Sequence, residues 1–274
     1  MKKTVLSILL AGLCTVCMAD VTVKPNSEKG GIKLMNAVNN GPVLTKGDQV
    51  RDNYQAFKDL QIPFARTHDA AFCSSYGGEH TVDISAIFPD FSKDVDDPAS
   101  YDFTMTDYYL WTIREAGTDI FFRLGQKIEH NLKKYNIMPP ADYAKWAKVC
   151  EHIIRHYNEG WADGYHADIQ YWEIWNEPDL DYENDAWKVN PRTWGGSAEE
   201  FFEFYKVVAN HLNKCFPDLK IGGPALCWHE GWAKMFLEYM HKHKVWEYRQ
   251  DRPAAREGRY PRSCSRSRFP SGYD

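Results

Sequence analysis

No long apolar run of the kind that spans a bilayer stands out in this chain. The N-terminal run Val5–Val16 is too short, since a span needs roughly 18–20 residues. Cysteine is scarce and unpatterned. Of seven, Cys14 and Cys17 fall inside the first nineteen residues, leaving Cys73, Cys150, Cys215, Cys227 and Cys264. An odd number at irregular spacing excludes a disulfide framework. Charge of one sign is also lacking: a net −5 gives no general electrostatic case for a nucleic-acid partner. No Gly-x-Ser-x-Gly elbow is present, and no glycine-rich phosphate turn follows the first apolar run. A zinc-protease helix is excluded as well, because His229-Glu230 is followed by Ala233 where a second His belongs. His241 and His243 form an isolated pair at the end of an amphipathic segment. No metal and no cofactor are expected.

What the chain has in quantity is aromatic residues, with ten Trp and sixteen Tyr among 274. Such rings fill cores, and they also stack on the C–H faces of sugars. The N-terminus reads as an export signal. Lys2 and Lys3 precede the apolar run, and Cys17-Met18-Ala19 ends on a small residue suited to cleavage. The expected product starts near Asp20 and is secreted or periplasmic, with no membrane attachment after cleavage.

From about residue 30, short apolar runs alternate with helical patterns. The strand-like runs are 31–37, 62–67, 119–124, 169–175 and 219–223. Helices are expected near 47–60, 104–116, 141–158, 197–215 and 230–243, with Ser197 and Glu200 forming a capping box. Alternation of this sort implies an α/β fold with a parallel sheet, which a doubly wound sheet and an eight-stranded barrel both satisfy. Polar residues gathered after the strands favour the (β/α)8 TIM barrel, whose strand-end loops build the active site. These residues are His68-Asp69, Glu129-His130 and Asn176-Glu177.

One stretch differs in style. Up to Lys244 the chain has twenty Lys and six Arg; from Val245 onward it has seven Arg and no Lys. The expected organisation is a signal over 1–19, the N-terminal part of a barrel domain over 20–244, truncated after about five βα units, and an aberrant Arg-rich tail over 245–274. A change of coding frame near Val245 would produce such a tail; a solvated basic tail, or a nucleic-acid or membrane patch, is the alternative.

Glu177 has the surroundings of a catalytic acid, following an aromatic strand, after Asn176 and before Pro178. Glycoside hydrolysis needs two carboxyl groups flanking the scissile bond, one of them protonated at neutral pH. Glu173 lies four residues earlier on the same strand parity, about 13 Å away. A retaining pair needs about 5–5.5 Å, so Glu173 reads as a structural carboxylate paired with a base such as Arg66.

The run Trp-Glu-Ile-Trp-Asn-Glu-Pro-Asp (172–179) resembles the fourth-strand motif of the large clan of (β/α)8 glycosidases, and in particular glycoside hydrolase family 39, which includes β-xylosidases and α-L-iduronidases. Segments 36–42, 63–69, 121–130 and 220–224 resemble that family's first, second, third and fifth strands, so the likeness covers about 30–244. The resemblance implies a retaining hydrolase acting on an oligosaccharide or glycoside. In it Glu177 is the acid/base and Asn176 binds the sugar 2-hydroxyl. His68 contacts the sugar being cleaved, and Asp69, Glu129 and His130 line that subsite. Arg66, Glu173 and Trp175 are structural within the site. The family's nucleophile is a Glu ending the seventh strand, and none is visible here, so the chain as written is expected not to turn over glycosides. A sugar-binding protein without catalysis on the same fold is the alternative.

Overall fold

A computed structural model describes residues 27, 34–42, 53–68 and 81–245. Five parallel strands form one sheet in the order β1-β2-β3-β4-β5. They are β1 Val38–Asn39, β2 Phe64–Thr67, β3 Asp119–Leu124, β4 Tyr171–Ile174 and β5 Lys220–Gly222. Between and after them lie α1 Tyr54–Asp59, α2 Ile84–Ile87, α3 Thr104–Glu115, α4 Tyr143–Asn158, α5 Ala198–Cys215 and α6 Glu230–Lys242.

Strand order decides between the two architectures. A doubly wound sheet reverses direction at a switch point, whereas this one runs 1 to 5 without reversal. Right-handed crossovers in one direction place every helix on the same face of the sheet, as in a (β/α) barrel. Outward residues Ala65, Ile120, Phe122, Leu124, Trp172, Ile174 and Ile221 are accordingly buried. Alternate residues Phe64, Arg66, Phe121, Arg123, Tyr171 and Glu173 lie on the opposite, inner face. There Tyr171 stacks on Phe121 at 5.5 Å and meets Phe64 edge-on at 5.3 Å.

The expected helices form where their periodicity put them. Asp142 caps α4 by accepting from the Lys145 amide at 2.9 Å. Ser197 and Glu200 make the full capping box at the start of α5. Gly117 and Gly160 follow α3 and α4 with φ of +81° and +78°, a conformation that a side chain disfavours. Facing stripes of α4 (Trp146, Val149, Cys150, Ile153, Ile154) and α5 (Phe201, Phe204, Val208, Leu212) are buried. Each such side chain contributes about 1.5–3 kcal/mol through burial.

One expectation needs correction. The first strand pairs at Val38–Asn39 and not at 34–37, because its register sets Val38 against Ala65 and Asn39 against Arg66; 31–33 lie outside the described residues. Leu34 and Met35, the apolar residues that suggested the earlier span, are 61% and 85% exposed. The first expected helix is present over Tyr54–Asp59, while 43–52 lie outside the described residues. The tail beyond Val245 also lies outside the described residues. Val245 itself is buried, and its amide donates to the Met240 carbonyl at 3.1 Å to close α6.

Candidate active site

Strand β4 delivers the central residues, and its backbone explains how. After Ile174, Trp175 has φ +72° and Glu177 has φ +47°. Left-handed conformations at non-glycine residues are costly and persist where the surroundings hold them. Strict alternation would place Trp175 on the inner face with Glu173. Instead its ring turns outward into the helix layer, 5.2 Å from Trp194, 5.5 Å from Phe204 and 6.1 Å from Trp146. Its indole N–H donates to the Thr193 carbonyl at 3.0 Å. Burying Trp175 outward breaks the strand parity and brings Asn176 to the inner face beside Glu173. Parity counting from Glu173 to Glu177 therefore does not hold, because the strand ends at Ile174.

Arg66 organises this inner face. Its Nε donates to Glu173 Oε2 at 2.7 Å, its Nη2 to Asn176 Oδ1 at 2.8 Å and its Nη1 to Asn39 Oδ1 at 3.2 Å. The pairing of Glu173 with Arg66 is thus present, with side chains only 10% and 20% exposed. A guanidinium can only donate, so the Asn176 atom facing it is the amide oxygen. The Asn176 Nδ2 group is left buried, without an acceptor among the described residues.

Glu177 is half-buried, and its backbone is held from two sides. Its amide donates to the Ala225 carbonyl at 2.7 Å, and its carbonyl accepts from Thr193 Oγ1 at 2.6 Å. Asp179, fully buried, accepts from the amides of Cys227 (2.8 Å), Trp228 (3.0 Å) and His229 (2.8 Å). These amides lead into α6, whose N-terminus favours a negative charge. Asp179 thereby ties the loop after β5 to the loop carrying Glu177. Burial, followed by the charges of Glu177 and Asp179, pushes the Cys227 thiol up from its ordinary value.

The remaining sequence candidates separate. His68 is buried at the end of β2, and its carbonyl accepts from Arg123 Nη2 at 2.9 Å. Asp69 lies outside the described residues. Glu129 is engaged elsewhere: its two oxygens accept from the amides of Tyr135 (2.7 Å) and Asn136 (2.9 Å), folding the loop after β3 onto itself. Its carboxylate is a loop clamp, a role that two convergent backbone donors explain. His130 is exposed beside it.

Sequence reading overlooked Arg123 and Asp83. Arg123 is fully buried on the inner face of β3, with Nη2 2.8 Å from Asp83 Oδ1. Its Nε and Nη1 have no partner among the described residues. An arginine at inward parity inside the apolar run Phe-Phe-Arg-Leu was the available signal. Trp228 was also passed over. It is 59% exposed on the loop that Asp179 anchors, and a bare indole there offers a stacking surface.

Comparison with known proteins shows what the chain is similar to. The family model for glycosyl hydrolases family 39 matches residues 58–250, which include Arg66, Glu173, Asn176 and Glu177. A beta-xylosidase of Geobacillus stearothermophilus is 30% identical over 115 residues, covering 41% of this chain and 20% of that protein. A beta-xylosidase of Caldicellulosiruptor saccharolyticus is 31% identical over 114 residues, covering 41% of this chain and 21% of that one. The matched segments thus span about a fifth of these relatives. In three dimensions the chain is similar to a glucosidase from Croceicoccus marinus, with a TM-score of 0.59 and 28% identity over 77% of this chain and 41% of that one.

Proposed function

The chain belongs to glycosyl hydrolases family 39, and from that premise we propose that it carries the acid/base half of a retaining, β-xylosidase-like site with Glu177 as the proton donor. The observation that carries this reading is the arrangement around Asn176. Arg66 fixes the amide oxygen, so the Nδ2 group is presented as a donor, next in sequence to a half-buried carboxylic acid. A donor in that place suits a sugar 2-hydroxyl, whose hydrogen bond strengthens in the oxocarbenium-like transition state.

In this mechanism the Glu177 proton passes to the departing glycosidic oxygen while a second carboxylate attacks the anomeric carbon. Glu177, now ionised, then takes a proton from water as that water bonds to the anomeric carbon and breaks its bond to the second carboxylate. Glu173 does not serve as the nucleophile, since Arg66 neutralises it and it sits lower on the same strand. The attacking carboxylate belongs to none of the described inner-face strand positions. His68 at the end of β2 and the exposed Trp228 are the residues proposed to meet the sugar and its leaving group. Asp69 and His130 remain proposed subsite residues. The N-terminal signal pattern supports export, so the proposed setting is the periplasm or the exterior.

A sugar-binding protein without turnover is the second reading. It is favoured by one observation: Glu173, the carboxylate beside Asn176 on the inner face, is neutralised by Arg66. One experiment separates the two. Aryl β-D-xylosides are incubated with a form of the protein extended to supply a competent nucleophile, and the anomer first released is read by NMR. Retention supports the proposal, and inversion overturns the retaining mechanism. Xylo-oligosaccharide binding without hydrolysis supports the second reading.

A further inference from the structure

We propose that Glu151, His211 and Cys215 form a binding site for a thiophilic divalent cation, Zn²⁺ by its ligand chemistry, in the helix layer between α4 and α5. His211 and Cys215 are four residues apart on α5, so their side chains lie above one another on one face. Glu151 faces them from α4, sixty positions away in sequence from His211. One ligand atom from each, imidazole nitrogen, thiol sulfur and carboxylate oxygen, lies within 4.8 Å of the other two.

The distances fit a small tetrahedral ion. With Zn–N and Zn–O near 2.0–2.1 Å and Zn–S near 2.3 Å, ligand atoms sit about 3.3–3.6 Å apart. Cys215 Sγ lies 3.8 Å from His211 Nε2, close to that separation. His211 Nε2 and Glu151 Oε2 are 2.6 Å apart, the length of a hydrogen bond. That pair opens by roughly 0.7 Å when the ion replaces the proton between them, within reach of small side-chain rotations.

Second-layer groups orient the carboxylate. Arg155 places Nε and Nη2 each at 2.9 Å from Glu151 Oε1, which leaves Oε2 as the ligand oxygen. Lys148 is the opposing charge, with Nζ 4.0 Å from Oε2. It is 42% exposed and also lies 3.6 Å from Asp96, so it can swing aside. Glu151 is nearly enclosed while His211 and Cys215 are half-buried, leaving a solvent side for a water as fourth ligand. One thiol, one imidazole and one carboxylate select Zn²⁺, Co²⁺ or Cd²⁺ over Mg²⁺ and Ca²⁺, which demand oxygen cages. Binding releases the thiol proton and leaves the imidazole neutral with its proton on Nδ1, so affinity rises with pH.

The test is a Co²⁺ titration of the reduced, chelator-stripped full chain at neutral pH. The expected result is one equivalent bound, with the thiolate-to-cobalt charge-transfer band and the visible bands of a tetrahedral ion. Zn²⁺ should bleach the signal stoichiometrically, and Mg²⁺ should not. Cys215→Ser should abolish the charge-transfer band, His211→Ala should weaken binding at least about tenfold, and Cys227→Ser should leave both intact. Because Cys215→Ser is nearly isosteric, circular dichroism of that variant serves as the folding control. A second readout is a Zn²⁺-dependent rise in Tm in the parent that Cys215→Ser lacks. Absence of a cobalt–thiolate band in the parent protein, or its survival in Cys215→Ser, overturns the proposal.

Discussion

Arg66 Nη2 donates to Asn176 Oδ1 at 2.8 Å, joining β2 to the end of β4 across 110 residues of sequence. The same guanidinium neutralises Glu173, so one side chain fixes both the charge of the inner face and the orientation of the amide beside the proposed acid. A lysine could not do both, because a single ammonium lacks the planar fork that reaches two acceptors at fixed angles.

Removing Arg66 should therefore cost stability as well as geometry. Arg66→Ala leaves the Glu173 carboxylate largely enclosed without a counter-charge. The expected loss is about 2–3 kcal/mol, below that of a fully buried pair because Arg66 is partly exposed. Arg66→Met combined with Glu173→Gln removes both charges and should recover most of the loss. Urea denaturation of the two variants reads the difference. A single variant as stable as the parent would show that the pair contributes nothing to the fold.

Glu177→Gln should separate substrates by leaving group in a form of the protein with a competent nucleophile. The amide keeps the shape and loses the proton. Glycosides with poor leaving groups should slow about 10²–10⁴-fold. Activated aryl glycosides need little protonation to depart, so their first step should slow much less. Comparing kcat/KM for the two substrate types is the measurement, and equal losses would remove Glu177 from the role of acid.

An acid-side dependence of stability should trace to Glu151. Burial raises its pKa, but hydrogen bonds from Arg155 and His211 outweigh that and hold the carboxyl below its ordinary value. A depressed folded-state pKa contributes stability that is present above the unfolded value and lost as pH falls through the folded one. The Tm gap between the parent and Glu151→Gln, measured with chelator present, should be steady near neutrality. It should shrink as pH drops below about 4.3. A gap that widens in acid would contradict the sign.

Legibility of the chain varied with the range of the interaction. Strands β2 to β5 and helices α3 to α6 follow from local periodicity and caps, and Ser197 with Glu200 marked the start of α5 to the residue. Strand β1 was displaced because Leu34 and Met35 are apolar yet exposed, and only pairing with β2 fixes where the first strand lies. Glu177 and Asn176 stand out in the sequence because they share one short run with the aromatic end of β4. The outward turn at Trp175 was not, since it depends on packing against Trp146, Trp194 and Phe204. Nor was the Glu129 clamp, whose donors are backbone amides that carry no sequence signature.

Asp179 should control the loop that seats Glu177. Its carboxylate is 1% exposed and accepts three consecutive amides, those of Cys227, Trp228 and His229, at the entry to α6. The same loop supplies the Ala225 carbonyl that accepts from the Glu177 amide. Asp179→Asn preserves the volume but turns one acceptor into a donor, which then opposes an amide N–H across a buried contact. Leaving such a group unsatisfied costs about 1–3 kcal/mol, and loss of the negative charge at the helix N-terminus adds a fraction of that. Most of the effect should stay local. Amides 227–229 should exchange with solvent faster in Asp179→Asn, while amides of Phe122 and Leu124 in β3 should change only as far as global stability falls. Where turnover is available, Asp179→Asn should lower kcat more than it alters KM, since the substrate meets Glu177 through a loosened support. Unchanged exchange at 227–229 would mean that the three hydrogen bonds do not hold the loop in solution, and the positioning role of Asp179 would fall with them.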